Sequence, residues 1–289
     1  MKIKHMALSI IMAAVCMLSF SGCNKGSGKG SAGNIDAEVT LATGDKIAEI
    51  EIENYGTIKA KLFPDIAPQG VENFITLAKN GYYDGLKIHR VLPDMCIQGG
   101  SLNGDGTGGF AMLGNDTSFP IEVSSDARNF YGALAYANEN GMNTTQFYIV
   151  NNKKSTDVTQ ISPDTVKAQA QVFTEQKSAL EENDPNEAAL TAMEAYYNNL
   201  ADMYTKVPEA VVTRYSEQGG CPYLDGGYTV FGQVYEGLEI VDAISSVELT
   251  TNSVGEISKP KTDIIINSVK ITEYVDPNEE AESTSSSKK

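Results

Sequence analysis

The feature that most constrains the fold is the alternation of apolar and polar residues in IAEIEIENYGTIKAKLF, residues 47–63. The alternation runs on both sides of Asn54-Tyr55-Gly56, a sequence that favours a tight turn. Because successive side chains of a strand point to opposite faces, a period of two gives each strand one apolar and one polar face. The segment therefore predicts an antiparallel β-hairpin that needs further strands or a helix to cover its apolar face.

Short strands and two helices follow outside residues 153–219. Pro68, an apolar stripe and Asn80-Gly81 predict one amphipathic helix, and EGLEIVDAISS predicts a second, shorter one. Strand-like runs separated by Gly, Asn and Asp lie at residues 86–92, 95–99, 132–137, 146–150, 228–234 and 263–274. Many short strands with only two helices favour a mainly β domain in which helices cap a closed antiparallel sheet.

Residues 153–219 have a different character, since they are rich in Ala, Glu, Gln and Lys and contain no glycine before Gly219. Ser162-Pro163 and Asp184-Pro185 are helix-start signals, an apolar stripe follows each, and Pro208 ends the second. This pattern predicts a helical hairpin inserted into the β domain, with stripes that serve packing. The hairpin could be a lid or a docking surface for client proteins, or a solvated decoration that packs only on itself.

The N-terminal segment is typical of export. Lys2 and Lys4 precede an apolar stretch of about fifteen residues, which is shorter than the roughly 20 that span a bilayer, so we expect residues 1–22 to be a signal peptide. LSFSGC resembles the lipobox of bacterial lipoproteins, although Phe20 stands where leucine is usual. We therefore expect lipidation at Cys23, a flexible tether over residues 23–34 and a location on the outer face of the bacterial cell membrane, with ordinary secretion as the alternative.

The remaining residues 35–275 suffice for one domain that contains the insertion, and residues 276–289, without apolar periodicity, are expected to be disordered. The formal net charge of −16 disfavours nucleic acid as a partner, because binding phosphates requires an excess of Lys and Arg. Two cysteines, Cys96 and Cys221, remain after the N-terminal segment. With no indication of their geometry, we treat them as unlinked.

The usual catalytic and cofactor motifs are absent from the sequence. The glycines of residues 104–109 are not followed by a helix or by a Lys-Ser/Thr pair, which argues against a phosphate loop. His89 is the only histidine after the N-terminal segment and no Cys-x-x-Cys occurs, so we expect His89 to be structural and no metal to be bound. No Gly-x-Ser-x-Gly elbow is present.

Four blocks nevertheless carry a specific resemblance: VENFITLAKNGYYDGLKIHRV, IQGGSLNGDGTGG, GALAYANENGMNTTQFYIV and LDGGYTVFGQVYEGLEIVDAI. In this order they resemble the cyclophilins, the cyclosporin-binding family of peptidyl-prolyl cis-trans isomerases, over about residues 45–152 and 220–275. The resemblance implies a closed eight-stranded antiparallel barrel with two capping helices. It also implies proline-containing polypeptides as substrates and no cofactor, and we expect a monomer.

The resemblance assigns the catalytic role to Arg90, with Gln98 and Asn138. The barrier to prolyl isomerisation is the lost amide resonance, about 18–20 kcal/mol, and the twisted prolyl nitrogen regains a lone pair. A donor aimed at that lone pair stabilises the twisted state above either planar state, and a permanently charged arginine suits this task. Gln98 matches the glutamine that holds the guanidinium, and Asn138 matches the residue whose backbone meets the substrate carbonyl group.

The resemblance also implies a proline-binding set: Met95, Cys96, Ala137, Phe147, Tyr148, Tyr223, Leu224 and Tyr228. Several members depart from the family pattern, since Met95 replaces a phenylalanine, Cys96 a methionine, Tyr148 a phenylalanine and Tyr228 a histidine. Tyr223 stands where many members carry the tryptophan that donates a hydrogen bond to cyclosporin, so we expect weak cyclosporin binding. The departures keep open an alternative function, a proline-recognising binding or chaperone module with little catalysis.

Overall fold

The computed structural model describes residues 39–278. The expected signal peptide, Cys23, the tether and most of the expected disordered tail lie outside this range. Within it, no helix combines the length and the apolar character that crossing a membrane requires.

The described residues form eleven strands and five helices. The strands are β1 (Lys46–Ile52), β2 (Gly56–Leu62), β3 (Arg90–Leu92), β4 (Cys96–Gly99), β5 (Phe119–Pro120), β6 (Ala133–Glu139), β7 (Met142–Val150), β8 (Val230–Glu236), β9 (Leu249–Thr251), β10 (Ile257–Pro260) and β11 (Ile266–Glu273). The helices are α1 (Pro68–Lys79), α2 (Pro163–Ser178), α3 (Glu187–Thr205), α4 (Glu209–Glu217) and α5 (Leu238–Ser245).

The predicted hairpin is confirmed as β1 and β2, which pair antiparallel from Ile47↔Lys61 to Ile52↔Gly56. Asn54 lies in the turn with φ of 62°, a left-handed conformation that asparagine tolerates better than most residues. The apolar face of the hairpin is buried, as the alternation predicts, and includes Ile50 and Ile58. The two predicted helices outside the insertion are confirmed as α1 and α5.

The main sheet is antiparallel and follows the order β11-β1-β2-β8-β6-β7-β4-β3, with β5 paired to β7. Its two ends approach each other, because the backbone N–H of Ile88 donates to Ile264 O and that of Ile266 donates to Leu86 O. These bonds and one isolated bridge, Lys87↔Ile265, link the ends without a regular ladder between β3 and β11. The domain is therefore mainly β, as predicted, and its main sheet is curled, while a closed eight-stranded barrel stays a prediction.

The interior of the curled sheet is an aromatic core built around Phe74 of α1. Its ring lies 5.1 Å from that of Phe231 and 5.8 Å, edge-on, from that of Phe147. Offset and edge-to-face aromatic contacts of this kind stabilise a core beyond the apolar area that they bury. The core therefore anchors α1 across one opening of the sheet and fixes β7 and β8 beneath it.

The insertion contains three helices, so the prediction of a two-helix hairpin is incomplete. Helices α2 and α3 pack against each other as predicted, with the rings of Phe173 and Tyr197 stacked at 5.5 Å. Pro208 ends the second stretch but also caps a third helix, α4. Its φ of −61° and ψ of 144° suit a residue just before a helix, and its missing N–H is not needed there.

Candidate active site

One row of paired residues crosses five strands of the sheet on its outer face. Arg90 pairs with Gln98, Gln98 with Tyr148, Tyr148 with Ala135, and Ala135 with Val230. Directly paired residues of neighbouring strands lie on the same face, so the register alone brings Arg90, Gln98 and Tyr148 together. Three of the residues that the resemblance implies therefore form one continuous surface.

The guanidinium of Arg90 is held on two sides. Nη1 donates to Gln98 Oε1 at 3.1 Å, as the resemblance implies. Nε and Nη2 donate to the two carboxylate oxygens of Glu256 at 2.7 and 2.8 Å. Burial lowers the pKa of Arg90, but the hydrogen bond to Glu256 and the electrostatic attraction of nearby groups, among them the Glu256 carboxylate, together leave that pKa above its ordinary value. Arg90 therefore stays charged, with the plane of its fork fixed.

Two polar residues of this site were not anticipated from the sequence. Glu256 lies in the turn between β9 and β10, far from Arg90 along the chain and outside any recognisable motif. Gln146 precedes Phe147 in β7 and accepts a 3.1 Å hydrogen bond from Gln98 Nε2. Gln146 could have been noticed, because it is part of the block NTTQFYIV that carries the resemblance. Glu256 gave no such signal.

Most residues of the predicted proline-binding set gather in one cluster beside this row. It contains seven of the predicted eight, namely Met95, Cys96, Ala137, Tyr148, Tyr223, Leu224 and Tyr228. The rings of Tyr148 and Tyr228 meet edge to face at 5.7 Å, and burial raises the pKa of both hydroxyl groups, so both stay neutral. Gln98, which pairs with Arg90, and Cys96 of the cluster are two residues apart in β4 and lie on the same face, which places the arginine at the edge of this cluster.

Phe147 is the predicted pocket residue that the structure does not bring to the cluster. It is buried in the aromatic core inside the sheet, where its ring meets Phe74 and Tyr83. The reason is the strand period, since Phe147 and Tyr148 are consecutive in β7 and point to opposite faces. Phe147 therefore belongs to the aromatic core and not to the apolar cluster that contains Tyr148.

Asn138 and Ala137 lie at a bulge in β6. The register with β7 shifts between Tyr136 and Asn138, so Ala137 has no direct partner in that ladder. A bulge releases backbone groups from the ladder and redirects nearby side chains. The side chain of Asn138 donates to Gly227 O at 2.9 Å and accepts from Gly141 N at 3.1 Å. Its amide is thus occupied in fixing the neighbouring turns.

The insertion contacts the segment that carries three pocket residues, Tyr223, Leu224 and Tyr228. From α3, the hydroxyl of Tyr196 donates to Tyr223 O, and Asn199 Nδ2 donates to Gly226 O at 3.0 Å. The interpretation of the insertion as a decoration that packs only on itself is therefore wrong. The segment from residue 222 to residue 228, here called the pocket loop, lies between the curled sheet and α3.

The thiol groups of Cys96 and Cys221 and the ring of His89 are buried. Cys96 and Cys221 are free thiols, and burial raises the pKa of each to about 12, so both stay protonated at neutral pH. Burial and the charge of Arg90 lower the pKa of His89 to about 4, which makes its ring neutral. Among the described residues, no three His, Cys, Asp or Glu side chains come together as metal ligands.

Comparisons with known proteins agree with the resemblance. The family model described as "Cyclophilin type peptidyl-prolyl cis-trans isomerase/CLD" matches residues 47–271. A Staphylococcus haemolyticus protein named "Putative peptidyl-prolyl cis-trans isomerase" is 37% identical over 220 residues, which cover 75% of this chain and 87% of that protein. A Staphylococcus saprophyticus protein of the same name is 36% identical over 235 residues, covering 81% and 96%.

Among solved structures, a Cryptosporidium parvum cyclophilin type isomerase, crystallised in the presence of the dipeptide Ala-Pro, is similar with a TM-score of 0.49 and 20% identity. The match covers 80% of this chain and 99% of that one. The assignment depends on the family model, which spans most of the chain, and on the staphylococcal relatives. The chain belongs to the cyclophilin-type peptidyl-prolyl cis-trans isomerase family.

Proposed function

We propose that the protein accelerates rotation about Xaa-Pro bonds of exported polypeptides, with Arg90 stabilising the twisted amide beside an apolar proline pocket. The observation that carries this proposal is the placement of a charged, doubly held guanidinium at the edge of a buried apolar cluster. No nucleophile or ionising base is required, because the reaction breaks no covalent bond.

The proposed mechanism uses the difference between planar and twisted amides. In either planar state the prolyl nitrogen shares its lone pair with the carbonyl group and is a poor acceptor. At the twisted state the lone pair is localised, and a donor N–H of Arg90 stabilises it. An interaction made only at the transition state lowers the barrier, whereas one made equally in the ground state does not.

The pocket holds the proline ring while the other side of the bond turns. Met95, Leu224 and the Tyr148–Tyr228 pair supply an apolar seat of the kind that excludes water from the amide. Exclusion of water strengthens the interaction between the guanidinium and the nitrogen. The backbone around Asn138, next to the bulge at Ala137, is the proposed partner of the substrate carbonyl group.

The proposed place of action is the outer face of the bacterial cell membrane. The apolar N-terminal segment and the LSFSGC sequence before Cys23 support export and lipid attachment, and the glycine-rich and serine-rich tether supports a domain held away from the surface. Mass spectrometry of the native protein tests this, since a diacylglyceryl-modified Cys23 at the mature N-terminus is the expected result. An unmodified mature N-terminus beyond Cys23 would indicate ordinary secretion.

The test of the proposed function is isomerisation of a short Xaa-Pro peptide by a fragment of residues 35–289, which contains every strand and helix that the structure describes. Arg90→Ala is compared with Lys87→Ala, because Lys87 precedes the same strand and its ion pair with Asp263 is exposed. We expect Arg90→Ala to lose at least about a hundredfold in kcat/KM, the loss typical of removing one transition-state donor. Lys87→Ala should keep the wild-type rate.

The alternative function predicts a different result. If the wild-type protein binds proline peptides but gives no acceleration, the protein is a binding or chaperone module. If it accelerates isomerisation and Arg90→Ala, folded by circular dichroism, retains the rate, the mechanism through Arg90 is wrong.

A further inference from the structure

The Glu256 carboxylate accepts two hydrogen bonds from one edge of the Arg90 guanidinium. Its two oxygens accept from Nε at 2.7 Å and from Nη2 at 2.8 Å, so the pair is bidentate in the manner typical of arginine and carboxylate. The Arg90 side chain is 16% exposed and that of Glu256 35% exposed, which protects the pair from much of the solvent screening that weakens surface ion pairs.

Glu256 is itself held by the β9–β10 hairpin, a two-stranded sheet that packs against β3. Its backbone N–H donates to Asn252 Oδ1 at 2.9 Å, and the Asn252 backbone N–H donates to Glu256 O at 2.8 Å. Asn252 Nδ2 also donates to Ser258 Oγ, a fully buried group, at 3.1 Å. The backbone that carries the Glu256 carboxylate is therefore fixed by these hydrogen bonds and is not a free loop.

The N–H groups of Arg90 that already have hydrogen-bond partners determine which N–H groups remain for a substrate. Glu256 takes Nε–H and one N–H of Nη2, and Gln98 takes one N–H of Nη1. Each Nη nitrogen thus keeps one uncommitted N–H. With both partners in place, the plane of the fork cannot rotate without breaking at least one charged hydrogen bond.

We propose that Glu256 is a positioning residue that orients the Arg90 guanidinium so that its free N–H groups meet the twisted prolyl amide. The inference rests on the proposed function of Arg90 and extends it to a residue on a separate hairpin. An arginine side chain is flexible, and a catalyst must be ordered before the transition state if its interaction is to cost no reorganisation then. Glu256 and Gln98 supply this order from opposite sides.

The same ion pair also has an effect in the opposite direction. The negative charge of Glu256 reduces the electrostatic field of Arg90 at the prolyl nitrogen, which acts as a brake on the rate of isomerisation. The two effects predict opposite signs when the carboxylate is neutralised without a change of shape. Glu256→Gln keeps the size but offers a single acceptor oxygen, so it releases one of the two Arg90 donors. If positioning dominates, kcat falls; if the charge acts as a brake, kcat rises.

The experiment compares Glu256→Gln, Glu256→Asp and Glu248→Gln in the fragment of residues 35–289. Glu248 is the matched control, since it precedes β9 in the same hairpin and pairs with Lys261 at 2.7 Å in an exposed position. We expect Glu256→Gln to lose between about tenfold and about a hundredfold in kcat with little change in KM, the pattern of a lost transition-state interaction. Glu256→Asp should lie between Glu256→Gln and wild type, and Glu248→Gln should match wild type.

A second measurement follows the guanidinium directly. NMR of ¹⁵N-labelled protein detects the Nε–H group of Arg90, whose signal is assigned by its absence in Arg90→Lys. The proton of this group should exchange slowly with solvent in wild type and in Glu248→Gln, and faster in Glu256→Gln. Unchanged exchange in Glu256→Gln, or a kcat equal to or above wild type, would overturn the positioning role.

The outcome for Arg90→Ala separates this inference from the proposed function. If Arg90→Ala is inactive while Glu256→Gln keeps the full kcat, only the role of Glu256 is wrong. If Arg90→Ala keeps its activity, the proposed function through Arg90 fails, and the positioning role of Glu256 fails with it even when the exchange measurement shows that the guanidinium is held.

Discussion

The hydroxyl of Tyr204 in the insertion donates a 2.7 Å hydrogen bond to the carboxylate of Asp225, the residue that follows Leu224 of the predicted pocket. Tyr215 of α4 donates to the same oxygen at 2.7 Å, and Arg128 Nη1 lies 3.3 Å from it. The backbone N–H of Asn129 donates to the other oxygen at 2.8 Å. Asp225 is completely buried, and a buried charge is tolerated only with partners of this kind. The insertion therefore helps to hold the pocket loop.

The first prediction is that Asp225→Asn strongly destabilises the fold. The substitution removes the charge that pairs with buried Arg128. It also replaces one carboxylate oxygen, an acceptor, by an NH2 group, a donor that would face other hydrogen-bond donors. We expect a loss of roughly 3–5 kcal/mol in the free energy of unfolding, the usual result of breaking a buried ion pair from one side. Urea unfolding followed by circular dichroism measures it.

Tyr204→Phe is the graded control for that prediction, since it removes one of the donors to Asp225 and keeps the ring. We expect it to lose about 1–2 kcal/mol. If Asp225→Asn costs no more than Tyr204→Phe, the buried charge is not what organises this junction.

The second prediction concerns the close approach of α3 to the pocket loop. A Cβ atom added at Gly227 would lie 2.6 Å from Cδ2 of Tyr196, so Gly227→Ala forces the ring or the loop to move. We expect a loss of about 1–3 kcal/mol in stability, as for other overpacked sites, and a higher KM for proline peptides because the loop carries Leu224 and Tyr228.

A double-mutant cycle with Tyr196→Ala tests the cause. Removing the ring should make the second substitution nearly harmless, so that Gly227→Ala costs clearly less in the Tyr196→Ala background than in wild type. Additive losses would mean that the ring and the glycine do not meet in solution.

The sequence predicted the first elements of the β domain well, because their signals are local. The alternation in residues 47–63 and the start and stop residues of α1 depend on neighbouring positions, and the structure confirms both. The row Arg90, Gln98, Tyr148 was available only through the family resemblance, since the pairing that aligns it joins three separate strands. Nothing in the composition of these strands reveals that register.

Three features were missed for physical reasons. Phe147 and Tyr148 are both apolar because β7 is buried on both faces, so the sequence alone could not tell which one points to the pocket. Pro208 ends one helix and caps the next, and a proline within a helical pattern by itself predicts only the first role. Glu256 reaches Arg90 from a hairpin remote in sequence, and an exposed-looking glutamate in a turn gives no sign of such a partner.

The third prediction is that cyclosporin binds weakly and that Tyr223→Trp strengthens it. Tyr223 lies in the apolar cluster beside Leu224, and Tyr196 fixes its backbone carbonyl. An indole N–H at this position would restore one hydrogen bond to the ligand, worth about tenfold in Kd. Calorimetric titration should give a wild-type Kd weaker than the low nanomolar range.

Tyr55→Trp is the control for the cyclosporin experiment, because Tyr55 is exposed in the turn between β1 and β2. It should leave the wild-type Kd unchanged. Low nanomolar binding by the wild type would contradict the prediction directly, and equal gains in both variants would show that the effect is not specific to the pocket.

The fourth prediction is that His89 makes the fold less stable in acid. Its ring is buried, with 8% of the residue exposed, and burial with the nearby charge of Arg90 lowers its pKa to about 4, against about 6.5 in an unfolded chain. As the pH falls below about 6.5, the unfolded chain takes up a proton that the folded protein refuses. Stability is therefore lost between about pH 6.5 and about pH 4, and at pH 4.5 the loss from this residue is about 2–3 kcal/mol.

The measurement compares the unfolding free energies of wild type and His89→Gln at pH 7.5 and pH 4.5. The carboxylates of the protein also titrate in this range, but they do so in both proteins and cancel in the difference. Glutamine does not titrate, so a constant cost from burying its amide cancels as well. We expect wild type to lose about 2–3 kcal/mol more than His89→Gln between the two pH values. Equal losses would mean that the His89 ring can be protonated within the fold, and that its surroundings open to admit water or a counter-charge.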